Sequence, residues 1–356
     1  MLPKVKCGVI GAGWWATYAH IPALLAHPQA ELIAIQKRDL QQALRVAADF
    51  GIPYACTTVD ELLELKGLQA VIVSSSPHLH HAHALAALKA GKHVLMEKPM
   101  TMTVAEAEEL VALARERNLQ LLISCPWHYT CHAATARDLV KSGAVGRVRM
   151  ISALMTNPVS HLLRGAGTQP THGTPYLYPH SATYSDPRIA GGGQIYAQVS
   201  HLAAYLTFLT GAWPTSVFAR FHNDGAAVDI YDTLNLRMSD ESVVAIASTG
   251  ATGNERRDFY LRVFGTDGIL FLDLWQGKLE LVSQDGQTKH YPDLKADEIY
   301  PHLAPAINLV DSVLNPALNL SPGDLGLAAM QVIEAACQSA RNGYDVQVPA
   351  LAECAL

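Results

Sequence analysis

Short apolar runs alternate with amphipathic segments through the first 125 residues of the chain. Runs bounded by turn residues predict buried parallel strands, and apolar residues repeated every three or four positions predict helices that cover the sheet. Strands and helices that alternate in this way indicate a doubly wound parallel sheet with right-handed crossovers. The predicted strands are residues 5–10, 31–36, 69–74, 94–96 and 119–124.

The pattern changes after residue 125, where alternating apolar and polar positions predict antiparallel strands. A long stretch without periodicity, residues 157–189, interrupts these strands, and a loop of that length usually binds or covers a ligand. Apolar helices are predicted at 194–209, 299–314 and 322–342. The predicted strands are 147–156, 215–222, 230–238, 242–248, 259–264, 269–274 and 279–283.

These elements predict an α/β chain of two domains. Residues 1–125 are expected to form an N-terminal Rossmann domain with a doubly wound parallel sheet. Residues 126–356 are expected to form a C-terminal α+β domain with an open, mainly antiparallel sheet. The length of 356 residues favours the same division, because single cores rarely grow beyond about 250–300 residues.

Composition narrows the class of protein. Hydrophobic residues make up 49% of the chain and charged residues 16%, which is typical of a compact protein. A formal charge of −6 argues against a nucleic-acid or membrane-surface partner, and no apolar run reaches the roughly 18 residues of a membrane span. The chain enters a strand almost at once, so no signal peptide is expected. The 6 cysteines are scattered, which fits reduced thiols in a cytoplasmic protein.

A glycine-rich turn follows the first predicted strand. The turn has the pattern G-x-G-x-x-A, from Gly11 and Gly13 through Trp14 and Trp15 to Ala16, and a helix comes next. Glycines in this position allow a tight turn and let a pyrophosphate approach backbone amides at a helix start. The strand–turn–helix context therefore predicts a dinucleotide site that includes Gly11, Gly13, Trp14 and Trp15.

The end of the second predicted strand bears on the choice of cofactor. An acidic residue here usually binds the ribose 2′-hydroxyl of NAD. This chain has Lys37 and Arg38 instead, followed by Asp39. Two cations suit a 2′-phosphate, so NADP is favoured over NAD. The alternative is that Asp39 contacts the ribose or caps the next helix while both cations are solvated.

The end of the next strand is rich in serine and histidine. Ser74, Ser76 and Pro77 are expected to lie beside the cofactor, and His81 to border it. A metal site is not favoured, because the histidines do not share one helical face and lack a carboxylate or thiolate at suitable spacing. The histidines of this segment are His78, His80, His81 and His83.

Glu97, Lys98 and Pro99 follow the short apolar run 94–96. Charges at the carboxyl end of a buried strand lie at the edge where open α/β sheets bind ligands. Glu97 is expected at the cofactor, and Lys98 could donate a proton, accept one or stabilise charge on an oxygen. The alternative is an ordinary exposed ion pair in a loop.

The glycine turn, the Glu97-Lys98-Pro99 motif and the helix from Gly191-Gly192-Gly193 to His201 occur in an order and spacing that resemble the Gfo/Idh/MocA family of nicotinamide-dependent oxidoreductases. The resemblance implies hydride transfer between nicotinamide and a sugar, polyol or related carbon. It implies that Lys98 contacts the reacting hydroxyl and that His201 acts as acid or base. It also implies that one face of the second sheet holds the substrate, while the other packs in a homodimer or homotetramer.

The chain departs from the family pattern near His201. Many members have an aspartate and a glycine where this chain has Ala197 and Val199. Helical spacing places Gln194, Gln198 and His201 on one face, so these residues and Tyr196 are expected to meet the substrate. The alternative is that the glutamines only satisfy backbone groups. Trp127 and His128 replace an asparagine and arginines, and an aromatic–histidine pair suits stacking on a sugar ring.

The leading hypothesis is an NAD(P)-dependent dehydrogenase or reductase for a sugar, glycoside or cyclic polyol. One alternative is a glycosidase that oxidises the sugar transiently and returns the hydride, because the family aspartate is missing. A non-enzymatic nucleotide sensor is less favoured, since Lys98 and His201 are both present. Two or three residues of the long loop are expected to contact the substrate, from among His161, Arg164, His172, Tyr176, Tyr178, His180 and Tyr184.

Overall fold

A computed structural model describes residues 4–166, 175–253 and 256–350. The chain forms two compact units. The described part of the first comprises residues 4–126, 175–183 and 302–327, and the second contains the other described residues. The first unit thus includes two later segments that the expected division at residue 125 did not contain. None of the helices in the described ranges is long and apolar enough to cross a membrane.

Within its described residues, the first unit is built on a parallel sheet of six strands in the order β3-β2-β1-β4-β5-β6. This order confirms the predicted doubly wound sheet, and it reverses direction between β1 and β4, where such folds bind ligands. The strands are β1 (Val5–Ile10), β2 (Ala30–Gln36), β3 (Tyr54–Cys56), β4 (Ala70–Val73), β5 (His93–Met96) and β6 (Leu121–Ile123).

The helices of the first unit begin where the sequence supplies caps. The hydroxyls of Thr58 and Thr103 accept from the backbone amides of Glu61 and Glu106, and the glutamate side chains accept in return from the backbone of the caps, which makes two capping boxes. The helices are a π-helical turn (Ala16–His20), α1 (Ile21–Ala26), α2 (Leu40–Phe50), α3 (Val59–Leu63), α4 (His80–Lys89) and α5 (Val104–Glu116). Short 3₁₀ turns span Pro77–Leu79 and Pro126–Tyr129.

The described part of the second unit contains a sheet of nine strands in the order β14-β13-β12-β11-β7-β10-β9-β8-β15. Among the described residues, all neighbouring strands of this sheet are antiparallel except β7 and β10, which run parallel. The sheet is therefore mainly antiparallel, as predicted. The strands are β7 (Val148–Thr156), β8 (Pro214–His222), β9 (Tyr231–Met238), β10 (Val243–Thr249), β11 (Asp258–Gly265), β12 (Gly268–Asp273), β13 (Lys278–Ser283), β14 (Thr288–His290) and β15 (Val346–Gln347).

The remaining helices include several short ones within the stretch predicted to be irregular. The long helix predicted at 194–209 begins as a π-helical turn, Ile195–Val199, and continues as an α-helix. The α-helices are α6 (Cys131–Lys141), α7 (Ser160–Leu163), α8 (Ala182–Ser185), α9 (Pro187–Ala190), α10 (Ser200–Thr210), α11 (Ala296–Ile299), α12 (Ala304–Leu314) and α13 (Gly323–Asn342). A 3₁₀ turn spans Pro316–Leu318.

The central strands of the second sheet bury one face and expose the other. Along β9 and β10 buried and exposed residues alternate, as expected for a sheet covered on one side. The exposed face nevertheless carries apolar side chains: Val243 is 46% exposed and Tyr231 is 40% exposed. The first sheet differs, because β4 and the last three residues of β5 are buried on both faces.

Candidate active site

The glycine turn is held tightly against the end of β4. Gly11 has a φ of +82°, and a Cβ there would lie 2.5 Å from the backbone nitrogen of Ser75. The amide of Gly11 donates to the side-chain oxygen of Gln36 at 3.2 Å. A Cβ on Gly13 would meet only the oxygen of Gly11, at 3.9 Å, so the turn leaves open space for a close-approaching group. The geometry suits a pyrophosphate, and Gln36 was not found from the sequence.

Aromatic side chains follow the turn. Trp14 and Trp15 are half-buried and lie 5.1 Å apart, edge to face. Both rings contact Tyr18, which stacks on His302 at 5.0 Å. Trp14 and Trp15 therefore belong to an aromatic cluster beside the glycine turn, and their contact with the cofactor stays a prediction.

The cations at the end of β2 are placed differently from Asp39. The half-buried Lys37 directs its Nζ towards the carbonyl oxygen of Ala12 in the glycine turn, at 3.4 Å, and burial lowers the pKa of Lys37. Arg38 is exposed. The carboxylate of Asp39 caps α2, because it accepts from the amide of Gln42 at 2.9 Å. Asp39 thus has the capping role that the sequence left open as an alternative.

The histidines after β4 divide between buried and exposed positions. His81 bonds Glu109 at 2.7 Å, and its expected contact with the cofactor stays a prediction. His80, which sequence reasoning did not single out, is buried and contacts the carbonyls of Pro99 and Ser75 at 2.7 and 2.9 Å. Burial lowers the pKa of His80, although both carbonyl contacts favour its charged form. Within the described ranges no three metal-ligating side chains converge.

The other candidates after β4 lie at its carboxyl end. Ser74 and Ser76 are half-buried, and Pro77 is buried at the start of the 3₁₀ turn. The backbone of Ser74 donates to Ile10, which continues the β1–β4 pairing. These residues thus line the edge where the strand order reverses, and their contact with a cofactor stays a prediction.

Glu97 is a buried acid with an identified partner. It is 8% exposed, and its Oε1 accepts a hydrogen bond from Nε2 of the fully buried His20 at 2.8 Å. Its Oε2 accepts from the backbone amide of Lys98 at 3.2 Å. Burial raises the pKa of Glu97, but the hydrogen bond and charge of His20, with Lys98, outweigh it and hold the pKa below its usual value. Glu97 is therefore a carboxylate, although it is buried.

Lys98 lies at the carboxyl end of β5, beside that carboxylate. Burial lowers the pKa of Lys98, and the negative charge of Glu97 raises it, so the net result is a pKa below the usual value. A lysine with a lowered pKa exchanges protons closer to neutral pH than an exposed lysine does. The opposed effects on one side chain are typical of a group used for acid–base chemistry.

The helix that carries His201 is anchored at its start by Asp229. The carboxylate of Asp229 accepts from the amides of Gly193 at 2.8 Å and Ile195 at 2.7 Å, and its carbonyl accepts from Gln194 at 3.0 Å. A Cβ on Gly193 would lie 2.0 Å from the carbonyl oxygen of Asp229, which explains the glycine there. Asp229 was not found from the sequence.

His201 is buried on α10 beside aromatic rings of the second unit. Its ring lies 5.2 Å from that of Trp127, edge to face. Trp127 is 2% exposed and also contacts Phe259, Trp275 and Tyr300, at 4.9, 5.3 and 4.8 Å. Little of the Trp127 ring is left for stacking on a sugar, so its contact with substrate stays a prediction. Its Nε1 has no hydrogen-bond partner among the described residues.

Tyr196 and Gln198 lie on the π-helical turn Ile195–Val199, and Gln194 comes just before it. The α-helical spacing used to group these residues with His201 therefore does not apply there. Gln194 is fully buried, and its amide donates to the Ser248 hydroxyl at 2.9 Å. The ring of Tyr196 covers Gly191 and Gly192, and burial raises the pKa of Tyr196. Gln198 is also buried. Contacts of these side chains with substrate stay predictions.

His128 packs in the apolar core of the second unit. Its ring stacks on Phe208 with centroids 4.5 Å apart and planes 6° from parallel. Burial, helped by the positive charge of Arg137, lowers the pKa of His128 to about 3. The side chain is thus uncharged near neutral pH, and its contact with substrate stays a prediction.

Replacing His128 with phenylalanine is expected to make the protein more resistant to acid. An unfolded histidine titrates near pH 6.5, whereas folding lowers the pKa of His128 to about 3. Between these values only the unfolded chain binds the proton, so the free energy of unfolding falls as the pH drops, by at most about 1.4 kcal/mol per unit. Urea unfolding at pH 7 and pH 5 should show a smaller loss for His128→Phe than for the wild type.

A matched control for this prediction is His222→Phe, at an exposed position of the same unit. It should lose as much stability as the wild type between the two pH values. Equal losses in all three proteins would contradict the account of His128.

The candidate residues of the long loop fall into different units. His161, Arg164 and Tyr184 belong to the second unit, and Tyr176, Tyr178 and His180 belong to the first. Tyr176 donates its hydroxyl proton to the carboxylate of Asp49 on α2. His172 lies outside the described residues.

Two consecutive regions of the chain match known families of domains. Residues 5–124 match a family described as an oxidoreductase family with an NAD-binding Rossmann fold. Residues 133–271 match the GFO/IDH/MocA C-terminal domain. The two matches follow each other along the chain and agree with the two predicted folds.

Relatives of the chain include named sugar reductases. A dTDP-3,4-didehydro-2,6-dideoxy-alpha-D-glucose 3-reductase from Streptomyces antibioticus is 31% identical over 76% of this chain and 76% of that protein. A 1,5-anhydro-D-fructose reductase from Ensifer adhaerens is 33% identical over 62% of this chain and 61% of that protein. An uncharacterized oxidoreductase from Synechocystis is 35% identical over 59% of this chain. The match covers about half of that protein, 52% of its length.

Solved structures share the fold over nearly the whole length. The structure of a levoglucosan dehydrogenase in complex with NADH and L-sorbose matches with a TM-score of 0.83, over 98% of this chain and 100% of that chain. The two sequences are 17% identical, so the likeness concerns the fold. It confirms the predicted combination of a Rossmann sheet with a separate, mainly antiparallel sheet.

Proposed function

Because the chain belongs to the Gfo/Idh/MocA family of oxidoreductases, we propose that it transfers a hydride between nicotinamide and a hydroxyl-bearing carbon of a sugar, glycoside or cyclic polyol. The observation that carries the proposal is Lys98, whose pKa is lowered by burial beside the carboxylate of Glu97, at the ligand-binding edge of the Rossmann sheet. The names of two relatives, both sugar reductases, support the substrate class.

The proposed chemistry divides between cofactor and protein. A bound nicotinamide dinucleotide would supply the hydride acceptor or donor, and the turn at Gly11 and Gly13 would hold its pyrophosphate. In the oxidative direction Lys98 or His201 removes the proton of the reacting hydroxyl, and in the reductive direction the same group returns it. Asp229 holds the start of the helix that carries His201.

The test of this proposal is consumption of reduced cofactor with a panel of ketosugars. Oxidation of NADPH or NADH that depends on one of these sugars, with formation of the matching alcohol, is the expected result. The proposal would be contradicted if the cofactor binds but no ketosugar oxidises the reduced cofactor and no sugar alcohol reduces the oxidised cofactor.

The cofactor is proposed to be NADP rather than NAD. Lys37 and Arg38 place two cations at the end of β2, and Asp39 is already used to cap α2. Each charge-assisted bond to a 2′-phosphate contributes about 1.5–3 kcal/mol, or roughly ten- to hundredfold in affinity. Among residues 36–39 the acidic residue is Asp39, and its carboxylate caps α2. It is therefore not placed to bind the ribose 2′-hydroxyl of NAD.

Calorimetric titration with NADPH and NADH is expected to give at least tenfold tighter binding of NADPH. Lys37→Asp should remove most of this preference, because it replaces a cation with an anion beside the phosphate. Lys66→Asp, at an exposed position elsewhere in the first unit, should keep it. Equal or tighter binding of NADH by the wild type would contradict the assignment.

The second sheet is proposed to form a homodimer through its exposed face. The apolar side chains of Val243, Tyr231 and Met150 are 46%, 40% and 39% exposed on this face. Neighbouring exposed apolar side chains are typical of a surface that binds another protein. Light scattering should show a dimer or tetramer for the wild type and a smaller species for Val243→Glu. Leu44→Glu, at an apolar position of α2 that is 48% exposed, is the matched control and should not change the assembly. A monomeric wild type would contradict this proposal.

The glycosidase that returns its hydride remains a second candidate, favoured by one residue. Ala197, where many family members have an aspartate, packs against the apolar cluster of Val159, Leu162, Leu163, Val228 and Ile230. Position 197 therefore supplies no carboxylate. Cleavage of a glycoside without net change in the cofactor would identify this reaction.

A further inference from the structure

We propose that His20 is a positioning residue that keeps Glu97 a carboxylate and thereby keeps Lys98 in its charged form. The inference rests on the acid–base role proposed for Lys98. It assigns a function to a buried histidine that lies 77 residues from Glu97 in sequence. His20 itself is not proposed to touch the substrate.

The geometry of His20 supports a dedicated role. His20 ends the π-helical turn Ala16–His20, which follows the glycine turn, and π-helical turns are common at functional sites. Its side chain is fully buried, and Nε2 donates to Oε1 of Glu97 at 2.8 Å. The other nitrogen, Nδ1, is also buried and has no hydrogen-bond partner among the described residues. Among the described residues, the hydrogen bond to Glu97 is therefore the polar interaction identified for the His20 imidazole.

The carboxylate of Glu97 connects His20 with Lys98. Its second oxygen, Oε2, accepts from the backbone amide of Lys98 at 3.2 Å, and the hydroxyl of Ser124 also bonds the carboxylate. The negative charge of Glu97 favours the charged form of the lysine against the effect of burial. The other titratable groups that act on this pair are the thiol of Cys125 and the imidazole of His80.

Removing the hydrogen-bond donor of His20 should first raise the pKa of Glu97 and, as a consequence, lower the pKa of Lys98. A buried carboxylate that loses a hydrogen bond from an imidazole binds a proton more readily, so the pKa of Glu97 rises. Once Glu97 is neutral, the ammonium of Lys98 loses its counter-charge, and the pKa of Lys98 falls. An opposite charge within about 4–6 Å changes a pKa by about 1–3 units, which sets the expected size of the effect.

The experiment is an NMR titration of protein labelled with ¹³C at the lysine Cε, without cofactor or substrate. The Lys98 signal is identified by its loss in Lys98→Met. His20→Leu and Glu97→Gln should each lower the pKa of Lys98 by about 1 unit or more relative to the wild type. His20→Gln, whose amide can still donate to Glu97, should stay closer to the wild type than His20→Leu does.

The matched control is His27→Leu. His27 follows α1 and bonds Asp311 at 3.3 Å, so this substitution removes a comparable histidine–carboxylate pair that does not involve Glu97. It should leave the titration of Lys98 unchanged. If His20→Leu does not fold, Glu97→Gln and His20→Gln decide the test.

An unchanged pKa of Lys98 in folded His20→Leu or in Glu97→Gln would overturn the inference. A shift in the pKa of Lys98 as large in His27→Leu would also overturn it, because any lost histidine–carboxylate pair would then have the same effect. The titration needs no turnover, so it can fail while the proposed hydride transfer stands, and the ketosugar assay can fail while the titration succeeds. In the reductive direction the shift should also move the fall of kcat/KM at high pH to lower pH, because Lys98 must carry the proton that it donates.

Discussion

Lys98→Met is expected to lower kcat/KM for sugar turnover by about 10²–10⁴ while the protein keeps its fold. Methionine retains an unbranched, apolar stem in the half-buried position after β5, but it has no proton to exchange with the substrate oxygen. Part of the charge balance is also lost, since Glu97 remains as a buried carboxylate next to a neutral side chain. The measurement is steady-state kinetics with the best sugar found, together with thermal unfolding.

The control for this prediction is Lys92→Met. Lys92 lies just before β5, at the opposite end of the same strand, and its ammonium donates to the carbonyl of Leu68 at 2.9 Å. It should turn over sugar at close to the wild-type rate. A Lys98→Met protein that is folded and within tenfold of wild-type kcat/KM would show that Lys98 has no acid–base role.

Gly193→Ala is expected to lower the free energy of unfolding by about 3 kcal/mol or more and to reduce turnover further. Its Cβ would lie 2.0 Å from the carbonyl oxygen of Asp229, so the backbone must separate there. Overpacking costs about 1–3 kcal/mol, and each lost hydrogen bond from the Asp229 anchor adds about 1 kcal/mol. Because this anchor holds the start of the helix of His201, the imidazole should also lose its fixed position.

Urea unfolding and kcat measure the two effects of this substitution. Gly253→Ala is the matched control, because a Cβ on Gly253 would have nothing within 4 Å. It should match the wild type in stability and turnover. Wild-type stability of Gly193→Ala would mean that the junction between the glycines and Asp229 adjusts freely, contrary to the role assigned to it.

Much of the fold could be predicted because its signals are local. The apolar runs of β1, β4 and β5 and the caps at Thr58 and Thr103 each depend on residues close in sequence. Short strands such as β3, with 3 residues, and β15, with 2, carry too few residues for a period to appear. The helix predicted from residue 299 begins at Ala304 instead, with Pro305 in its first turn, and Pro301 separates it from α11.

The candidate site could be predicted only in part, for the same physical reason. Gly11, Gly13 and Lys98 belong to motifs within a few residues, so their types and spacing identify them. His20 and Asp229 act on residues 77 and 36 positions away, and nothing local distinguishes them from other polar residues. The π-helical turn of Ile195–Val199 was equally hidden, because its apolar pattern is that of an α-helix.

The most direct test of hydride transfer follows deuterium from the cofactor to the sugar. The protein would be incubated with ketosugars and NADPH that carries deuterium at the transferable position of the nicotinamide ring, and the products examined by mass spectrometry and NMR. We predict one deuterium on the former carbonyl carbon of the sugar product, formed much more slowly by Lys98→Met. Deuterium that stays on the cofactor with every sugar, or a glycoside cleaved while the cofactor is unchanged, would contradict the proposed reductase.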